Sequence, residues 1–355
     1  MSKHCLLLLF GLSLFACHSS QSPQAPSESV SQTPNPQIFA TAVPSSVRAI
    51  EAIDEQNAWF AGSGGVYGFS HDAGQHWTID SIRVGELEFG FRALAITVDA
   101  KYLLSTGSPA MLFRSRDEGQ NWELKYQEDH PDAYYNALKF WDAQTGIAVG
   151  DPTEANCLSV LMTRDGGESW FKIPCGELPP LADEEAGFAA SNTNIALSGD
   201  HAWLVTGGQK ARVFHSPDRG LSWEVFDTPI QQGGQMTGIY SIAFRDDNHG
   251  IIWGGDWNKK DSAYATKAIT ADGGNTWALL NDGKAPAFRS CVQYVPRSGG
   301  QKIFAIGSPG MSYSDDGGDS WTQLNEENFY SIRINNAGKT AWLAGRNKVA
   351  YMSWQ

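Results

Sequence analysis

The chain has 355 residues, with 37 glycines and 13 tryptophans, and only 18 % of its residues are charged. Such a composition suits many short strands joined by tight turns rather than long helices. The formal net charge of −13 opposes a phosphate backbone, so nucleic acid is excluded as an expected partner.

The first sixteen residues read as an export signal. Lys3 supplies a positive start, and residues 5–15 form an apolar run too short to span a bilayer. The run ends in Leu14-Phe15-Ala16-Cys17, which resembles the lipobox of bacterial lipoproteins, with Phe15 a departure from the usual pattern. Cleavage would leave Cys17 to be acylated; the alternative is an ordinary secretory signal, which also exports the chain. Residues 17–37 are rich in Ser, Gln and Pro and poor in apolar side chains, so they read as a flexible tether. Residues 38–355 form the expected folded domain. An exported protein of the bacterial cell envelope follows, lipid-anchored on a periplasmic or outer-membrane face, with acyl chains providing the membrane affinity.

A motif Ser/Thr-x-Asp-x-Gly-x-x-Trp then recurs six times, centred on Asp72, Asp117, Asp165, Asp218, Asp272 and Asp316. The steps between these aspartates are 45, 48, 53, 54 and 44 residues, the length of a four-stranded propeller blade. The motif is an Asp box of the BNR type. Its aspartate accepts from backbone N–H groups within a turn, its glycine supplies a positive φ, and its tryptophan opens the outgoing strand. Spaced one per blade, the aspartates are structural rather than catalytic.

Before each box lies an apolar strand ending in glycine, at Gly62, Gly107, Gly150, Gly207, Gly254 and Gly307, with a seventh at Gly345. Seven such strands against six boxes predict an all-β, seven-bladed β-propeller. The incomplete last blade borrows an N-terminal strand near Ile38, which closes the ring and removes free edges.

The strand-and-box unit, the opening Val47-Arg48-Ala49-Ile50, Gly150-Asp151-Pro152 and Gly187-Phe188-Ala189-Ala190-Ser191 together resemble the plant photosystem II stability/assembly factor family and its bacterial relatives. The resemblance runs from about residue 46 to residue 354. It implies a propeller, here a monomeric one, that binds a protein partner and assists assembly or stability of a complex. It implies neither a cofactor nor a catalytic residue.

Function in a propeller sits at a channel mouth, where inner strands begin. Arg48, Arg92, Asn136 and Tyr240 fall at such positions, and the neighbouring loops add Asp151, Lys210, Asp256 and Arg346, with Arg289 and Arg333 directed the same way. Arginines gathered at one mouth would attract a carboxylate or an acidic peptide through bidentate pairs. The competing reading is a sialidase-like or other glycan-acting hydrolase, or a glycan-binding module. It lacks support in the motifs: Val47-Arg48-Ala49-Ile50 has no proline of the sialidase type, and no Tyr–Glu pair can be assigned. Two carboxylates facing each other in a pocket would favour hydrolysis. The eight histidines show no metal-ligand spacing, so no metal is expected. Cys157 and Cys175 lie equally far from Gly166. They either face each other as a disulfide across a hairpin or stay reduced in an offset register.

Overall fold

The computed structural model describes residues 33–154 and 156–354. The export signal, Cys17 and the greater part of the tether lie outside the described residues. Among the described residues, apart from two short 3-10 turns, Cys175–Glu177 and Trp257–Lys259, every regular element is a strand. The strands form antiparallel sheets of a β-propeller, four of them four-stranded.

Each sheet follows the same logic from inner to outer strand. The second strands, such as Ala58–Gly62 and Ile303–Gly307, are buried along their whole length and read as unbroken apolar runs. The outermost strands, such as Thr78–Ser81 and Ala278–Leu279, are short and exposed, which limits edge-to-edge association.

The expected seven blades are corrected: among the described residues the hydrogen-bonded sheets number six. The reason lies in two long strands, Gln37–Ala52 and Thr340–Ser353. Residues 37–42 pair with residues 348–353, whereas residues 47–52 pair with Ala58–Gly62. The first part of Thr340–Ser353 pairs instead with Ser331–Ile334. Both strands thus run on from one blade-like unit to the next and fuse the first and last units into one six-stranded sheet.

The six motif turns share one set of bonds. The Ser or Thr hydroxyl donates to the aspartate at 2.7–2.9 Å and accepts from the glycine N–H at 2.7–3.0 Å. The aspartate also accepts from the backbone N–H four residues on, at 2.8–3.0 Å. In the first turn the N–H and imidazole of His76 hold the Asp72 carboxyl down to about 2. The glycine is required twice over. Gly119 has a φ of 80°, and a Cβ there would stand 2.8 Å from the Trp59 ring of the preceding sheet. The motif tryptophans pack on those same neighbours, as Trp122 does on Tyr67 (5.2 Å) and Trp321 on Trp253 (4.8 Å).

Cys157 and Cys175 form a disulfide with their Cα atoms 5.5 Å apart, and Cys291 is a buried free thiol.

Candidate functional site

The inner strands carry a repeated irregularity. Register slips by one residue between Val47 and Ala49 and between Phe91 and Ala93. The same slip separates Tyr135 from Ala137 and Ile239 from Ser241. The unpaired residues in these bulges are Arg48, Arg92, Asn136 and Tyr240. A bulge turns its extra residue away from the pleat direction, and here Arg48, Arg92 and Tyr240 line one mouth of the channel, with Asn136 buried behind it.

That channel is filled. Residues 187–193 leave the short strand Glu185–Ala186 and cross the axis among the inner strands. Arg92 donates to the Ala189 carbonyl at 2.8 Å and Arg48 to the Ala190 carbonyl at 3.3 Å. Ser191 donates to the Ser290 carbonyl at 2.7 Å. Asn192, at a φ of 58°, accepts from the Leu138 N–H and donates to the Leu94 carbonyl. The segment is anchored upstream by Glu185. Its buried carboxylate accepts from Thr206 and from the Arg212 guanidinium at 2.5 Å each.

At the far end of the plug sits a buried charge cluster. Glu51 accepts from Lys139 at 2.7 Å, Asn192 at 3.0 Å and Arg333 at 3.1 Å. Arg333 also donates to the Ser191 and Asn192 carbonyls. Burial opposes the Glu51 charge, yet Arg333 and Lys139 hold its carboxyl below the usual range.

At the near end, a cavity of about 210 Å³ is lined by Arg48, Arg92, Tyr134, Phe188, Tyr240 and Trp257, among others. Phe188 stacks on Tyr240 with centroids 4.0 Å apart, and Arg48 lies 4.1 Å over the Tyr330 ring. Burial, together with the neighbouring Arg92 charge, lowers the Arg48 pKa to about 10. Neither arginine has a carboxylate partner among the described residues. No aspartate or glutamate lines this cavity.

The other sequence-derived candidates divide. Asn136 and Asp151 lie just behind the plug: Asp151 accepts from Asn136 at 2.8 Å and from the Gly187 N–H at 3.0 Å. Asp256 caps the turn that presents Trp257, accepting from the Asn258 N–H at 2.8 Å. Lys210, on a loop, and Arg346, within the strand Thr340–Ser353, are exposed outside the cavity. Arg289 and Arg333 do not reach the mouth. Arg289 is 2 % exposed and donates to the Phe288 carbonyl, Ser312 and Gln323, and Arg333 is committed to Glu51 and the plug. Phe188, Tyr134 and Met236 were not among the residues singled out from sequence, yet they supply much of the mouth wall.

Asp151 yields the first quantitative expectation. Burial pushes its carboxyl up from 3.8 to about 6. Below about pH 4 it is protonated whether the chain is folded or not. Between about pH 4 and pH 6 the unfolded chain releases the proton first, so stability falls through that window by about 3 kcal/mol. Asp151→Asn keeps an acceptor for the Gly187 N–H and removes the titration. It is therefore expected to stabilise the protein at pH 7 but not at pH 4, as read by urea unfolding at both values. A wild-type-to-variant difference independent of pH would refute this.

A propeller with a plugged channel and a basic, aromatic mouth is the class of protein that these coordinates define, and by sequence it resembles the photosystem II stability/assembly factors. The chain is 24 % identical over 307 residues to the photosystem II assembly lipoprotein Ycf48 of Synechococcus sp. strain CC9902, covering 77 % of this chain and 84 % of that one. Among solved structures, YCF48 bound to D1 peptide superposes with a TM-score of 0.65 at 14 % identity, over 90 % of this chain and 97 % of that one. YCF48 from Cyanidioschyzon merolae gives 0.58 at 15 % identity, over 88 % and 98 %. No protein-family model matches the chain.

Proposed function

We propose that the chain is a non-enzymatic propeller of the bacterial envelope that binds a protein partner through the Arg48–Arg92 mouth and so assists assembly or stability of a complex. The observation that carries this reading is the pair of arginines without carboxylate partners, set among aromatic rings in a shallow cavity that holds no carboxylate of its own. A buried or half-buried guanidinium gains most from a carboxylate that binds it in bidentate fashion, and flanking rings give anchor points for a peptide. Similarity to a relative solved with a D1 peptide supports the reading.

In the same reading residues 1–16 are the lipoprotein signal, Cys17 carries the acyl chains and residues 17–37 tether the domain. The similarity to a protein named as a lipoprotein supports this. The six motif turns act as Asp boxes. The fused sheet is read as two units sharing long strands, so that seven repeat units occupy six sheets and form a monomeric ring.

The test is binding of an acidic peptide to the wild type and to Arg48→Ala/Arg92→Ala, followed by fluorescence anisotropy. Each charge-assisted contact contributes about 1.5–3 kcal/mol, so the double change is expected to weaken binding about a hundredfold or more, with near-ultraviolet circular dichroism unchanged. Equal affinities would remove the site. Turnover of a sialoside or glycan panel would overturn the non-enzymatic reading.

A further inference from the structure

The mouth cavity is the middle of a longer groove. It shares Arg92 with a cavity of about 770 Å³ walled by Ile82, Leu87 and Phe89 and also by Arg83, Glu86 and Glu88, so that this end carries both signs of charge, and it shares Phe188 with a second of about 780 Å³. The second is acidic. Asp132, Glu154, Asp183 and Glu184 line it and are exposed. Glu185 in the same wall is already neutralised by Arg212. Glu154 and Asp183 have no cationic partner among the described residues; Glu184 accepts only from Gln209, and Asp132 has His130 at 4.0 Å. Phe188 therefore divides a doubly positive centre from a negative end, and each charge set repels itself while its own partner is absent.

We propose that this face binds an extended peptide of mixed charge. Its carboxylate lies on Arg48 and Arg92, an apolar side chain packs on Phe188, and a lysine or arginine a few residues away enters the acidic cavity. The proposal rests on the mouth being a peptide site and adds the direction and charge pattern of the ligand. Complementary potentials across an interface favour the matching partner and suppress others. A purely acidic peptide satisfies the centre but leaves the acidic end unmatched, and one long enough to cover that end meets repulsion there.

The test uses fluorescein-labelled ten-residue peptides titrated by anisotropy at low salt. One carries a Glu-Glu pair in an Ala/Tyr background. Four more add a single lysine three or four residues to either side of the pair, and a control carries the lysine alone. The expected result is that lysine on one side only tightens binding about fivefold, the gain of one well-placed exposed ion pair. Glu154→Gln/Asp183→Asn should bring that peptide down to the affinity of the Glu-Glu peptide. Equal affinity of all five Glu-Glu peptides overturns the proposal while leaving the mouth as a site. Equal binding of the lysine-only control also overturns it, since a net acidic chain attracts any cation. A Glu-Glu peptide that fails to bind, or that binds Arg48→Ala/Arg92→Ala as well as wild type, removes the mouth reading and this proposal together.

Discussion

Replacing Glu51 by alanine is expected to lower the unfolding free energy by about 3–5 kcal/mol, because it strips one carboxylate from two buried cations. Lys139 and Arg333 both contact it, and Asn192 of the plug donates to the same oxygen. Loss of the carboxylate leaves Arg333 with backbone carbonyls and the Cys291 sulfur and frees Asn192 from one of its holds. Equilibrium urea unfolding measures the loss, and a change below about 1 kcal/mol would show that water replaces the carboxylate at little cost. Glu51→Ala/Arg333→Met is the informative second variant. Removing Arg333 along with Glu51 leaves Lys139 as the one cation of the cluster without its carboxylate, so filling the space should recover only part of the stability. A double variant weaker than the single one would mean that Arg333 holds the plug by a route other than Glu51.

The second large effect is expected at Trp203. Its ring is fully buried, stacks on Phe244 at 3.6 Å and on His215 at 5.3 Å, and donates its indole N–H to the Gly273 carbonyl at 2.7 Å. That carbonyl belongs to a motif turn of the neighbouring sheet, so one side chain joins two sheets by packing and by hydrogen bond. Trp203→Ala should cost about 3–5 kcal/mol. Trp203→Phe keeps most of the stacking area but orphans the Gly273 carbonyl and should lose about 1–3 kcal/mol. If both variants lose the same amount, the hydrogen bond rather than the ring volume carries the junction.

Much of the fold was legible because the motif is local. Asp117, Gly119 and Trp122 contribute bonds, backbone freedom and packing that hold wherever the rest of the chain lies, so their spacing exposes the repeat. The mouth residues Arg48, Arg92 and Tyr240 were legible for a related reason: polar groups and a tyrosine at the start of otherwise apolar inner strands stand out. Arg333 looked the same but lies two residues beyond Ser331. Strand alternation puts it on the same side and deeper in the channel, where Glu51 awaits it. Glu51 does not stand out in the sequence, because its partners Lys139, Asn192 and Arg333 lie 88, 141 and 282 positions away.

The plug was the principal feature missed. The segment 187–191 stands out in the sequence as part of the family resemblance, but nothing in it marks an inward course. One signal was present. The steps from Asp165 to Asp218 and from Asp218 to Asp272 are 53 and 54 residues against 44 or 45 for the shortest units, a surplus that must leave the blade pattern somewhere but does not single out the unit that carries the plug. Nothing local says that it turns inward, since the inward course depends on carbonyls meeting Arg48 and Arg92 from other sheets. The sheet count was missed for the same kind of reason. Strand units are periodic in sequence, whereas fusion depends on whether a strand breaks at the corner near Ser46 and Arg346.

The pairing of residues 37–42 with residues 348–353 also governs the order of events during folding. Residues 37–42 have no neighbour to join until the final stretch of chain has been made, so every earlier species is an open arc with two sticky borders. Such a species must wait out its own completion without pairing to another arc through those borders. A chain cut short by only the last dozen residues would leave that condition permanent, and its fate would be association between molecules rather than a smaller version of the same ring.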